Sequence, residues 1–397
     1  MQALSFEGKG FEYFKIWIVN ILLTIVTLGL YYPWAKVRNR RYFYANSTLE
    51  GKSFDYHATG KQLFIGYLIS MALLIAYVAL QKVSPAISGV IVLVFLAALP
   101  WIIWRSLKFN MRVTSFSNVL FSFDGKLGGS YFNYMLMPFL FMLSLYIGPI
   151  LIAVIGSKLV EQFSVVGGVF IAAGVIASLA LAVYVFAVMK KKNAMYVING
   201  TRYGQGQFKA ELEVAPFAKI FLKSIALFLL AGFAYMIVIA IVGFAFGAAN
   251  DLLGVAANLD DPVAIQGVFE NALTFVLIGL VYLGFIFISI AVFSYSYVRQ
   301  REYIYNNVVL DDKIAFSSQL TVGRLAWVSL SNLLMTIVTL GLAMPWAAVR
   351  MARLVLEHTS VDTSAGIDSY VTQQQKDQSS LGEQIGDAFD VEVGVGF

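Results

Sequence analysis

Asn20, Thr24, Thr27, Gly29, Pro33 and Trp34 form a spaced set that returns near the other end of the chain. There it reads Asn332, Thr336, Thr339, Gly341, Pro345 and Trp346. Fourteen of twenty positions agree between residues 19–38 and 331–350, too many for two unrelated apolar runs. The amides and hydroxyls offer hydrogen bonds rather than acid–base chemistry. They suit backbone freed at a helix break, or an uncharged group of a ligand. Paired apolar segments broken by Gly and Pro mark functional centres in polytopic membrane proteins, so these twelve residues are the candidate cargo seam. Cations follow each copy: Lys36, Arg38, Arg40 and Arg41, then Arg350 and Arg353. They would attract anionic headgroups at about 1 kcal/mol per charge, or else anchor the chain as basic residues beside spans ordinarily do.

Other chemistries lack their residues. The chain has no cysteine and two histidines, His57 and His358, so no metal site and no thiol or His-based nucleophile is expected. No glycine loop followed by Lys-Ser/Thr is present to cradle phosphates, and no cofactor is expected. Asp55, His57 and Asp124 could gather near one another, judged from loop position alone. The expectation is a protein that is not an enzyme.

The elements that must position the motif are apolar. Of 397 residues only 13% are charged, and mean hydropathy is +0.76, where soluble chains carry about 25% charge. Six runs are long enough to cross a bilayer: 63–81, 85–104, 132–156, 165–189, 217–247 and 271–298. They pair into three hairpins, and no Asp, Glu, His, Lys or Arg lies within them apart from Lys219 and Lys223 at the start of the fifth run. That argues against proton relays and ion pathways. Twenty-one of the 28 Lys and Arg fall in the four segments that separate or flank the hairpins. Those segments are therefore expected in the cytoplasm. Charges that hug helix ends argue against a nucleic-acid partner. The start of the chain has no recognisable cleavage site for a signal peptide.

Each basic segment repeats one pattern: an apolar residue, two turn-formers, then an aromatic. The copies are Leu49-Glu50-Gly51 to Phe54, Phe116-Ser117-Asn118 to Phe121, Ile198-Asn199-Gly200 to Tyr203, and Leu310-Asp311-Asp312 to Phe316. Such pairs tolerate positive φ and close two-residue hairpins. Alternation places strands at Met195–Thr201 and Phe208–Val214. The hairpins are expected to join in one cytoplasmic sheet, the alternative being four independent loops. At the end, Phe389, Val391, Val393, Val395 and Phe397 alternate with polar residues and Gly, predicting a strand. It would add to the chain's own sheet or dock on a partner's edge.

The fold class is thus an all-α polytopic membrane protein with six full transmembrane helices in three hairpins. Two Gly/Pro-broken segments, 14–36 and 326–348, and small cytoplasmic β-hairpins complete it. Residues 1–359 form the membrane domain, 360–382 a flexible linker and 383–397 the cytoplasmic tail. Each broken segment takes one of two paths. A re-entrant hairpin turning at Thr27–Gly29 keeps Arg350 and Arg353 inside. A plain crossing gives eight spans with both termini outside.

Residues 27–42, Thr-Leu-Gly-Leu-Tyr-Tyr-Pro-Trp-Ala-Lys-Val-Arg-Asn-Arg-Arg-Tyr, precede Asn46–Gly51 and Phe54-Asp55-Tyr56. This run resembles the YjgN family of bacterial inner-membrane proteins, a domain-of-unknown-function family, over nearly the whole chain. The resemblance implies the bacterial inner membrane and transfers no catalytic residues. It also hints at a membrane-associated peptidase as partner. The expected function is binding or translocation of a neutral or amphipathic, lipid-like molecule, with membrane lipids as partners. The alternative is a non-enzymatic scaffold or regulator holding a partner protein, such as a peptidase, through its tail or sheet.

Overall fold

Short strands follow the helices wherever β-branched or aromatic residues alternate beyond a turn pair. The computed structural model describes residues 1–245, 272–364 and 370–375. Strand pairs β3 (Ser47–Leu49) and β4 (Lys52–Tyr56), β5 (Thr114–Phe116) and β6 (Val119–Phe123), β7 (Thr201–Tyr203) and β8 (Gly206–Ala210), and β9 (Val308–Leu310) and β10 (Ile314–Ser318) are hairpins. Three of them turn through two residues at positive φ, Glu50-Gly51, Ser117-Asn118 and Asp311-Asp312, the geometry that matches strand twist. Beyond the hairpins, β11 (Thr359–Val361) pairs with β1 (Gln2–Ala3) and β10, and β2 (Ser5–Phe6) pairs with β3.

The eleven strands among the described residues belong to one antiparallel sheet, in the order β1-β11-β10-β9-β8-β7-β6-β5-β4-β3-β2. Its first and last members, β1 and β2, are separated in sequence only by Leu4, whose N–H donates to the Thr359 carbonyl at 2.9 Å. The sheet therefore closes on itself as a barrel and leaves no free edge. The hairpins are not four independent loops, and an all-α class is too narrow.

The register is the same around the ring. Phe54 lies opposite Phe116, Phe121 opposite Tyr203, Phe208 opposite Leu310, and Phe316 opposite Val361. With Leu4 and Leu49 these side chains form the barrel core, which also holds Val119, Ile314 and Val371. In the third hairpin the turn falls at Gly204-Gln205 rather than Asn199-Gly200, and Met195–Gly200 is helical. Alternation misled there because the helix continues past its lysines. Asn199 instead braces the hairpin, its Oδ1 accepting from Ala210 N–H at 2.8 Å.

Among the described residues six helices are long and apolar enough to span a bilayer: α3 (Gly60–Lys82), α4 (Ala86–Arg112), α5 (Leu127–Glu161), α6 (Ser164–Gly200), α7 (Val214–Phe244) and α8 (Val276–Tyr305). At the ends next to barrel strands they run beyond the expected boundaries, because helix continues from the apolar run to the strand. Helix α6 passes through Lys190–Lys192 to Gly200. Ser84 ends α3 and caps α4, and Phe163 alone separates α5 from α6. The connector expected at 248–270 lies outside the described residues. Helix α5 carries two π-bulges, Phe132–Leu136 and Leu143–Ile147, just before Pro138 and Pro149, where proline supplies no amide to the ladder.

The chain divides into two units. Met1–Ala218, Arg301–Leu320 and Met335 onward contain the barrel, and Lys219–Gln300 with Thr321–Leu334 form the second. Within the second, Tyr235 OH donates to Leu280 O at 2.6 Å and covers Gly284, where a Cβ would lie 2.0 Å from its ring. Ser360 and Val361 end β11, and Tyr370–Gln375 form a helical turn, α11. The tail strand at 389–397 lies outside the described residues.

Candidate functional site

The two broken segments adopt one geometry. Helix α1 (Gly10–Val26) gives way at Thr27 to α2 (Tyr32–Ala45), and α9 (Val322–Val338) at Thr339 to α10 (Met344–Glu357). At each break a leucine then a glycine have positive φ: Leu28 at 50° and Gly29 at 90°, Leu340 at 50° and Gly341 at 92°. Gly29 N–H reaches Thr24 O at 2.7 Å, and Gly341 N–H reaches Thr336 O at 2.8 Å, closing the helix ends as a Schellman-type cap. Thr27 Oγ1 donates to Leu23 O and accepts from Tyr31 N–H; Thr339 Oγ1 does the same with Met335 and Ala343. These threonines thus supply the missing backbone bonds. The leucines point outward, 86% and 93% exposed.

Other seam residues hold helices together. Buried Asn20 donates to Asn39 Oδ1 at 2.9 Å and accepts from Arg38 at 3.2 Å, tying α1 to α2. Asn332 is buried as well. Pro33 and Pro345 are buried at their helix starts. Trp34 covers Gly60, where a Cβ would fall 2.2 Å from the indole, and meets Phe64 at 5.0 Å. Trp346 covers Gly10 in the same way and meets Phe14 at 5.0 Å. Helix α10 of the second copy therefore packs on α1 of the first, around Phe6, Tyr13 and Val349. The copies share a seam, and it is filled by side chains.

The expected headgroup cations are largely engaged. Arg40 bonds Tyr56 OH and Asn110, Arg41 bonds the Tyr56 and Ala58 carbonyls, and Arg353 bonds Gly8 O. Arg350 has partners too, and Lys36 is half-buried on α2. Asp55, His57 and Asp124 do not gather: His57 bonds Ser115, and Asp124 pairs with Arg202. No group of three potential metal ligands occurs among the described residues.

Inside the barrel lies a cavity of about 200 Å³, lined by the ring residues Leu4, Phe54, Phe121, Phe208 and Phe316 with Leu49, Phe116, Tyr203, Leu310 and Val361. Tyr305 and Thr359 bound its helix end; Tyr370 and Val371 close its turn end. A cavity of roughly 150 Å³ admits a benzene ring and stays dry when apolar. Helix α11 is tied to three hairpin turns: Tyr370 OH to Asp311 at 2.6 Å, Gln205 N–H to Gln374 at 2.7 Å, and Gln375 to Ser117 O at 2.6 Å. Burial raises the Tyr370 phenol well above its ordinary range, reinforced by its bond to Asp311. It stays a neutral donor to that carboxylate. Sequence reasoning found the aromatic row in three of four hairpins. It did not place Leu4, Val361 or Tyr370, which reach the lumen only through the pairing of β1 with β11 and the docking of α11.

Six membrane-length helices with almost no internal charge define a polytopic membrane protein. The family model described as "Bacterial protein of unknown function (DUF898)" matches residues 1–388, and the chain belongs to that family. It is similar to "Inner membrane protein YjgN" of Salmonella typhimurium LT2, 30% identical over 363 residues, covering 90% of this chain and 88% of the relative. The proteins of that name from Escherichia coli O157:H7 and K12 are each 28% identical over 369 residues, covering 88% of this chain and 85% of theirs. No solved structure matches. The protein is thus a multi-pass inner-membrane protein.

Proposed function

We propose that this inner-membrane protein is a non-enzymatic binder of a lipid-like molecule, whose apolar part enters the barrel lumen. The observation that carries the reading is the carbon-lined cavity inside the barrel. Aromatic rings at 4.7–6.4 Å from their neighbours line much of it, and such a surface favours hydrocarbon over water. The barrel lies in the cytoplasm, a reading supported by the basic segments that contain its strands. The broken segments are re-entrant. Each leaves one barrel strand and returns to another, β2 to β3 and β10 to β11, and each exposes an apolar tip. Translocation would need the lumen to open at α11, whose bonds to three turns close that end.

The test is to fill the cavity. Phe121→Trp and Phe208→Trp proteins, purified in nanodiscs of zwitterionic lipid, should lose binding of decanol and shed lipid that co-purifies with the unaltered chain. Undiminished binding in both variants would remove the lumen from consideration. Replacing Gly29 and Gly341 with Val should abolish any transport in liposomes.

A further inference from the structure

The helix end of the lumen has a polar corner that the apolar reading does not use. Arg301 lies one turn before the end of α8. It donates to Thr359 Oγ1 at 2.6 Å, and its guanidinium stacks 4.1 Å from the centre of the Tyr305 ring. Thr359 and Tyr305 both line the cavity. The Thr359 hydroxyl is committed, since it also donates to Val355 O at 2.7 Å. The Arg301 Nε–H is buried and has no partner. A guanidinium has five donors and fits oxyanions with two at once, so a buried, unused N–H beside a cavity is an unfilled half of a fork.

A second orphan neighbours the same threonine. Ser318 is directly across the ladder from Thr359, and cross-strand partners project from the same face. It is also two residues beyond Phe316, a lining residue, so period two gives the same answer. Ser318 is 6% exposed and its Oγ has no partner. A buried hydroxyl and a buried guanidinium N–H left unsatisfied each cost free energy. No carboxylate is paired with Arg301 among the described residues.

We propose that Arg301 and Ser318, with Thr359 holding the guanidinium, bind the oxyanion head of a single-chain amphiphile whose tail occupies the aromatic lumen. The inference rests on the lumen reading and specifies its ligand class: an acyl or alkyl chain ending in a carboxylate or phosphate. Head and tail then each meet matching chemistry, since the lumen beyond Thr359 is carbon-lined as far as Val371. An uncharged alcohol of the same length has the tail contacts only.

The experiment is calorimetric titration of the full chain in zwitterionic nanodiscs, with empty nanodiscs subtracted, using decanoate, decyl phosphate and decanol. At least one anion should bind about tenfold tighter than decanol, the size expected of a charge-assisted pair. Whichever anion is preferred identifies the head as carboxylate or phosphate. Arg301→Gln should bring the anions to the affinity of decanol while leaving decanol unchanged. Arg301→Lys should recover part of the difference, and Ser318→Ala should cost the anion a few-fold. Equal binding of all three by the unaltered protein overturns the oxyanion site and leaves the lumen intact. Arg301→Gln weakening decanol and anions alike would mean that the arginine merely ties α8 to β11. Binding that is absent, or unaffected by Phe121→Trp, removes the lumen and this site with it.

Discussion

The tips of the two broken segments make the sharpest prediction. Helices α1 and α9 have 17 residues each, so each is about 25 Å long at 1.5 Å per residue, against a hydrocarbon core of about 30 Å. Even upright, Leu28 and Leu340 would stop short of the far surface. Each leucine pays for a left-handed backbone with roughly 1 kcal/mol and exposes nearly its whole side chain. Immersion in lipid would return about 1.5–3 kcal/mol per leucine, whereas in water nothing offsets the strain. Since the chain has no cysteine, Leu28→Cys and Leu340→Cys give single labels. A membrane-impermeant maleimide should modify neither in intact cells or inverted vesicles, and both after detergent solubilisation. Glu50→Cys, at a barrel turn, should react in inverted vesicles only. Modification of Leu28→Cys in intact cells would mean that the segment crosses, and modification in inverted vesicles would put the tip in cytoplasmic water. Energetics give an independent reading. Leu28→Gly should lower stability in nanodiscs by about 1 kcal/mol net, while a rise of that size would contradict immersion.

Three further outcomes follow from the packing. Gly60→Val should destabilise by about 1–3 kcal/mol through collision with Trp34, and Trp34→Ala should rescue much of the loss in a double-mutant cycle read by thermal unfolding. Additive losses would mean that the indole is free to move. Asn20→Ala leaves the polar groups of Asn39 and Arg38 without their partner, so the unfolding midpoint should fall by an amount equivalent to about 1–3 kcal/mol; an unchanged midpoint would show that water replaces the amide. Tyr370→Phe removes the bond to Asp311, worth about 1 kcal/mol, so trypsin should cut after Lys376 several-fold faster. Equal rates would show that Val371, Gln374 and Gln375 hold α11 without it.

Hydropathy in the sequence was enough to find six spans, because a bilayer demands about twenty apolar residues whatever their neighbours. Local chemistry was enough for the turns at Glu50-Gly51, Ser117-Asn118 and Asp311-Asp312, since positive φ is a property of a few residues. The repeat likewise foretold the common turn at Leu28-Gly29 and Leu340-Gly341, though not that leucine would take the strained place. Closure of the barrel could not be read in the same way. Residues 2–6 and 359–361 are short and carry no hairpin signal, and they become strands only because neighbouring edges offer unpaired backbone groups. The binding corner has the same origin. Arg301, Ser318 and Thr359 come from three elements with no shared motif, and tertiary pairing alone brings the first two to the threonine that lines a carbon-walled space. Asn20, Trp34 and Arg40 looked like ligand contacts in the sequence because polar, aromatic and cationic groups serve either role. The fold assigned them to holding helices, since each found a partner within reach.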